Sequence, residues 1–346
     1  MVSARRPRRR YDYIVLVLQG GGALGAYQAG VFEAMVEVGY APNWVAGVSI
    51  GAINGALIVG NPESRRVERL REFWNLVSSG LPASAPSFFD PWHSAFNRTS
   101  AILSATFGVP GFYTPRVPPP ELMPDGSPGA LSVYDATPLQ RTLERMVDCD
   151  LLNFPKLARY SAGAVNLATG NSKYFDNTSE RIGIPHIMAS AALPPAFAPV
   201  VIDGEEYWDG GMVSNTPILY VLEQLPDLHG LIVQVDLFSA RGDRPQNIDQ
   251  VMERQKDIIY SSKTRLNTTM VQKMGATKGG PRIDLVHMIN RRHRYTSSSK
   301  DYEFSRNTVN ELWDAGLETG RRSFRHADLF RGGRRTPDGI RVFDVV

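Results

Sequence analysis

Three short motifs in this 346-residue chain carry residue types that could do chemistry. The first is Gly47-Val48-Ser49-Ile50-Gly51, a G-x-S-x-G pattern. A serine between glycines on a sharp strand-to-helix turn presents its hydroxyl outward, and the helix N-terminus behind it favours developing negative charge. The second is Leu18-Gln19-Gly20-Gly21-Gly22-Ala23-Leu24-Gly25, in which Gly20, Gly22 and Gly25 have the G-x-G-x-x-G spacing of a dinucleotide-binding turn. The third is Tyr207-Trp208-Asp209-Gly210-Gly211, a carboxylate at the end of a predicted strand with two glycines leaving room around it.

The glycine loop has two readings. A dinucleotide site wants an acidic residue about twenty positions past the glycines, to hold the ribose. No Asp or Glu lies between Glu37 and Glu63, and the second strand ends in Gly47-Val48-Ser49. The other reading is an oxyanion hole: backbone N–H groups of Gly20–Gly22 aimed at the space above Ser49, where each donor contributes about 10²–10³ in rate. A serine nucleophile also needs a base. The histidines are His93, His186, His229, His287, His293 and His326, none in a compelling motif. The order Ser, Asp, His of an α/β-hydrolase can be forced with Asp209 and His287 or His293, but Ser49 follows only one βα unit. Asp209 could instead act directly, although an isolated Asp-Gly-Gly reads first as a turn.

The elements that must position these groups are legible from hydropathy. Residues 14–18 are a continuous apolar run, as in a strand buried on both faces. A helical pattern follows over 23–38, a strand over 44–48 and a second helix over 50–59, so the unit is β-α-β-α, with a parallel sheet and helices on both faces. Further helices are expected over 62–79, 137–147, 247–266 and 309–317. Strands are expected over 159–167, 172–175, 231–235 and 283–289, and a hairpin over 200–209 turning at Asp203-Gly204. From about 81 to 136, prolines alternate with Phe88, Phe89, Trp92, Phe96, Phe107, Phe112 and Tyr113, which reads as a lid or wall over an apolar site or as an irregular loop packed on the domain.

A hydrophobic fraction of 42% supports a large core, and the length implies one large domain with an extension, or two domains. A net charge of +3 is too mild for a nucleic-acid binder. Basic residues nevertheless crowd both ends, at Arg5, Arg6, Arg8, Arg9 and Arg10 and again at Arg321, Arg322, Arg325, Arg331, Arg334 and Arg335. They read as solvated ends or as attraction to an anionic membrane surface. Cys149 is the only cysteine, which excludes an intramolecular disulfide and a Cys-based zinc site and fits a reducing compartment. The run at 14–18 is too short for a signal peptide, and the charge-free window 44–60 reads as a buried strand and helix, so a cytoplasmic protein, soluble or peripheral to a membrane, is expected.

Taken together and in this order, the Gly20–Gly25 loop, Gly47-Val48-Ser49-Ile50-Gly51 and Asp209-Gly210-Gly211 resemble the patatin-like phospholipases. The stretch from Ala189 to Pro194, then Phe197-Ala198-Pro199-Val200, is similar to the family's segment leading to its aspartate. The resemblance implies a three-layer α/β/α sandwich with a mainly parallel central sheet. It implies lipid ester hydrolysis by a Ser49–Asp209 dyad, with Gly20, Gly21 and Gly22 as oxyanion hole and Gly25, Gly47, Gly51, Gly210 and Gly211 as motif glycines. No metal or organic cofactor is implied, and the partner is a lipid ester or phospholipid rather than a nucleic acid. The corresponding domains are a basic arm at 1–11, a catalytic domain at 12–240 containing the insertion at 81–136, and a C-terminal extension at 241–346. That extension, with Lys300-Asp301-Tyr302-Glu303-Phe304-Ser305-Arg306, resembles one in a bacterial branch of the family. The family often carries Arg or Lys where this chain has Leu24, a position that orders the loop or meets an anionic headgroup. A dinucleotide-binding oxidoreductase and a non-catalytic lipid-binding protein on the same fold are the alternatives.

Overall fold

The computed structural model describes residues 11–80, 103–104, 106–225, 228–274, 282–291, 300–325 and 340–345. The N-terminal arginines, Arg331, Arg334 and Arg335, the aromatics Phe88 to Phe96, and His93, His293 and His326 lie outside the described residues.

The strands are β1 (Tyr13–Leu18), β2 (Trp44–Val48), β3 (Thr114–Pro115), β4 (Tyr134–Asp135), β5 (Arg159–Asn166), β6 (Ser172–Asp176), β7 (Val200–Ile202), β8 (Glu205–Asp209), β9 (Gly230–Asp236), β10 (Ile283–Ile289) and β11 (Ile340–Val345). The helices are α1 (Ala26–Glu37), α2 (Ile50–Val59), α3 (Arg66–Val77), α4 (Thr137–Met146), α5 (Cys149–Leu152), α6 (Ile184–Ser190), α7 (Ile218–Glu223), α8 (Ile248–Met274) and α9 (Arg306–Arg325). One sheet runs β11-β10-β9-β1-β2-β5-β8-β7, with β6 also paired to β5. The six strands from β11 to β5 are parallel, and β6, β7 and β8 are antiparallel additions at one side. The fold is thus mixed α/β around a mainly parallel sheet.

β1 is apolar without alternation because both of its faces are covered. Leu16 and Leu18 join the core shared with α1, α2 and α3. Tyr13, Val15 and Val17 join a second core with Ile218 and Val221 of α7. The hairpin turns at Asp203-Gly204, where both residues have positive φ (51° and 84°), the requirement of a tight two-residue connection.

Among the described residues beyond 240, β10 and β11 continue the same sheet. β10 pairs with β9, β11 pairs with β10, and α9 lies along α1. Contact between those helices is backbone on backbone: a Cβ at Gly30 would collide with the Trp313 carbonyl, and one at Gly316 with the Tyr27 carbonyl. The turn before α9 is anchored to α8 by Lys300, whose ammonium donates to Asp257 (2.6 Å) and Glu253 (3.3 Å). All three residues are at most 9% exposed. Removing one partner of a buried ionic group strands the others, at about 3–5 kcal/mol. Lys300→Met is therefore expected to lower the midpoint of urea unfolding by a corresponding amount; a midpoint unchanged from the parent would show that the two carboxylates need no counter-charge.

Part of the second basic cluster is already paired. Arg321 makes a two-bond ion pair with Glu37 on α1. No described helix is long and apolar enough to cross a membrane.

Candidate active site

The sheet itself brings Ser49 and Asp209 together. β2 pairs with β5 only as far as Val48 opposite Gly163. One residue farther along β5, Ala164 is opposite Asp209 of β8. Because β6 occupies the other edge of β5 at Ala164 and Val165, β8 must enter from the edge that β2 has vacated. The end of β8 thus meets the turn that leaves β2.

That turn is sharp. Ser49 has φ 57° and ψ −126° at the N-terminus of α2, a backbone conformation rare outside glycine. Its N–H donates to both the carbonyl and the hydroxyl oxygen of Ser190 (3.1 Å each), and the Ser190 hydroxyl donates to the Gly163 carbonyl at 2.6 Å. α2 is pressed onto the end of β1: a Cβ on Gly51 would collide with the Leu18 carbonyl, and one on Gly47 with the Gly51 backbone. Gly25 faces Ile50 in the same tight layer, and Gly210 abuts the Gly163 carbonyl.

Asp209 is only 1% exposed. Its carboxylate accepts the Gly211 N–H at 2.7 Å, and the Ser49 hydroxyl lies near enough to favour its ionised form. Burial dominates and pushes its pKa up from 3.8 to about 7, against the opposing effect of those two donors. A carboxyl group poised there can exchange a proton with a neighbouring hydroxyl near neutral pH.

The glycine loop follows β1 beside Ser49. Asn215 clamps it from both sides: its side-chain amide donates to the Gly20 carbonyl (3.0 Å), and its own carbonyl accepts the Gly20 N–H (3.1 Å). The Gly20 amide is therefore engaged inside the protein, by the Asn215 carbonyl. Gly21 and Gly22 are partly exposed, and their N–H groups meet no hydrogen-bond acceptor among the described residues. Gly22 has φ 54°, which turns its amide out of the regular path. Leu24 is 3% exposed, so apolar packing rather than a charge secures the next turn.

These groups line one cleft with about 680 Å³ of empty space up to its open mouth. Ser49, Asp209 and Gly20–Gly22 lie on it together with Ile50, Phe112, Tyr113, Leu193, Phe197 and further aromatic residues. Phe112 and Tyr113 are the described part of the aromatic insertion that reaches the site, whereas Phe107 is exposed. No described histidine lines the cleft. His287 is buried against Asp236, and His186 accepts the Gly183 N–H on its Nδ1 (2.9 Å) with its pKa lowered by burial. The described residues hold no cluster of three or more His, Cys, Asp or Glu suited to a metal ion.

Sequence reasoning missed Asn215 and Ser190 as supports of the site. Both sit in short polar or small-residue stretches at helix ends, and their partners are 195 and 141 residues away along the chain. Such pairings leave no local signal.

Two family models match the chain. One described as patatin-like phospholipase matches residues 16–222, and one described as patatin phospholipase matches residues 246–335. The chain is similar to the mouse patatin-like phospholipase domain-containing protein 6, with 24% identity over 227 residues covering 62% of this chain and 14% of that protein. It is also similar to an uncharacterized NTE family protein of Mycobacterium tuberculosis, with 27% identity over 205 residues, 59% of this chain and 44% of that one. It therefore spans less than half the length of either relative. Among solved structures, human GIVD cytosolic phospholipase A2 aligns over 91% of this chain and 59% of its own, at 11% identity and a TM-score of 0.45.

Proposed function

The chain belongs to the patatin-like phospholipase family, and on that premise we propose that it is a serine acyl hydrolase that cleaves carboxylic esters of lipids through a Ser49–Asp209 dyad. The observation that carries this reading is the adjacency of Ser49 and a buried carboxyl whose pKa is about 7, within an apolar cleft. The Asp209 carboxylate takes the Ser49 proton as Oγ attacks the ester carbonyl. The oxygen that becomes negative is held by the N–H groups of Gly21 and Gly22, with Gly20 locked by Asn215 as their support. The tetrahedral intermediate collapses, the alcohol leaves with the proton from Asp209, and the acyl group remains on Ser49. A water molecule then gives its proton to Asp209 and attacks the acyl carbonyl. Free carboxylic acid departs, and Ser49 regains its hydrogen.

The apolar lining suits a hydrocarbon substituent rather than a charged one. A peripheral membrane contact would supply such a substrate, and the basic ends suit an anionic surface.

A fluorophosphonate probe is expected to label this protein at a single residue, Ser49, and to abolish ester turnover in proportion to labelling. Peptide mass mapping checks the site. An intact fold that hydrolyses no ester and takes no label would favour the non-catalytic lipid-binding alternative.

A further inference from the structure

The cleft over Ser49 is completed by residues outside the 16–222 match. Tyr260 comes from α8, and Asp301, Tyr302 and Phe304 come from the turn before α9. This turn is fixed on two sides. Behind it, Lys300 is held between Asp257 and Glu253, and Lys256 pairs with the Asp301 carboxylate at 2.9 Å. In front, the Asp301 carbonyl lies so close to Gly22 that a Cβ there would collide with it. Phe304 is buried against Phe112 (ring centroids 5.5 Å apart) and stacked on Trp74 (6.5 Å), while Tyr302 is only half-buried.

The position of this turn decides which part of a substrate it meets. It begins against Gly22, whose N–H would hold the carbonyl oxygen, so the first carbons attached to that carbonyl lie beside it. Its cleft-facing groups are mainly aromatic, and the Asp301 carboxylate is neutralised by Lys256. A polar or charged headgroup laid against such rings would lose its hydrogen bonds to water without replacement. An aliphatic chain loses nothing and gains burial.

We propose that the Asp301–Phe304 turn, with Tyr260, forms the acyl-chain wall of this site and sets the length of aliphatic acyl group it accepts. Tyr302 is the specificity-determining residue, because its ring lines the cleft and, unlike that of Phe304, is not fully buried, so it can be resized. The proposal rests on the acyl-hydrolase reading above and gives the C-terminal region a role in that reaction.

The test uses the full chain and p-nitrophenyl esters from butanoate to palmitate. Each burial of a methylene changes kcat/KM by roughly fourfold. Tyr302→Ala opens room for several, so the laurate-to-butanoate ratio of kcat/KM is expected to rise at least tenfold. Tyr302→Trp, which narrows the same space, is expected to lower that ratio. Labelling of Ser49 by a small fluorophosphonate is measured on each variant, to show that the nucleophile remains assembled. If Tyr302→Ala takes no label, the ratio for Tyr302→Trp decides. Labelled variants whose ratio stays within about twofold of the parent overturn the acyl wall while leaving the hydrolase reading intact. A parent chain that takes no label overturns the hydrolase reading, and the wall falls with it.

Discussion

Replacing Ser49 by glycine is expected to lower kcat/KM for a lipid ester by about 10⁵-fold and, at the same time, to raise the melting temperature. Both effects stem from one observation. The serine sits at φ 57° and ψ −126°, between a strand and a helix that are pressed together. A side chain in that conformation costs on the order of 1–3 kcal/mol, and glycine relieves it. Removing the hydroxyl also removes a nearby O–H donor that favours the Asp209 carboxylate, which makes that form harder to bury. The comparison is therefore cleanest at about pH 6, below the Asp209 value of about 7, where that group is mostly protonated and does not need the donor. Ser49→Ala separates the two effects, because alanine removes the nucleophile and keeps the strained backbone. Both variants should be inactive, and only Ser49→Gly should be stabilised. Turnover persisting in either would place the nucleophile elsewhere; equal melting temperatures for the two would show that the turn stores no strain.

The parts of this site written in local sequence are the ones that local physics dictates. A tight strand-to-helix turn needs Gly47 and Gly51, so the G-x-S-x-G pattern marks the elbow and its serine. The uninterrupted apolar run at 14–18 announces a strand covered on both faces, and Asp203-Gly204 announces the hairpin that ends in Asp209. The strand at 283–289 is legible from its own pattern in the same way, but its place in the sheet is not. Hydropathy reports that a strand is buried and not which neighbour buries it, so the continuation of the sheet past β9 by β10 and β11 is not visible in the sequence. The helix expected at 309–317 runs over Arg306–Arg325, because its last turns are ordered by α1. The same limit hides the clamp on Gly20: three adjacent glycines look equivalent in sequence, and only the approach of Asn215 distinguishes the one whose N–H is consumed. The glycine spacing alone also fits a dinucleotide turn. The end of the second strand separates the two cases, because it carries Ser49 where a ribose-binding site needs an acidic residue.

Asp209→Asn is expected to cost about 10³–10⁴ in kcat/KM and to make the protein more stable at alkaline pH than its parent. The carboxyl is nearly inaccessible and titrates at about 7 in the folded chain against an ordinary 3.8. Between those values the folded state keeps a proton that the unfolded state has released, so stability falls as pH rises through the window. The contribution is fully present below the lower value and lost once pH passes the upper one. Its full size is on the order of 4 kcal/mol. Asparagine has no such transition, so the difference in melting temperature between variant and parent should widen from about pH 4 to about pH 8. The same ionisation governs the reaction with the opposite sign. A base must be deprotonated, so log kcat/KM of the parent should rise with unit slope and level off above a midpoint near 7. On the proposed mechanism the carboxylate that makes Ser49 nucleophilic is the one whose burial destabilises the fold, so the rate midpoint must coincide with the upper end of the stability window. A stability gap that stays constant with pH would mean that Asp209 titrates as an ordinary carboxylate. A pH–rate midpoint far from the upper end of the stability window would mean that another group supplies the base.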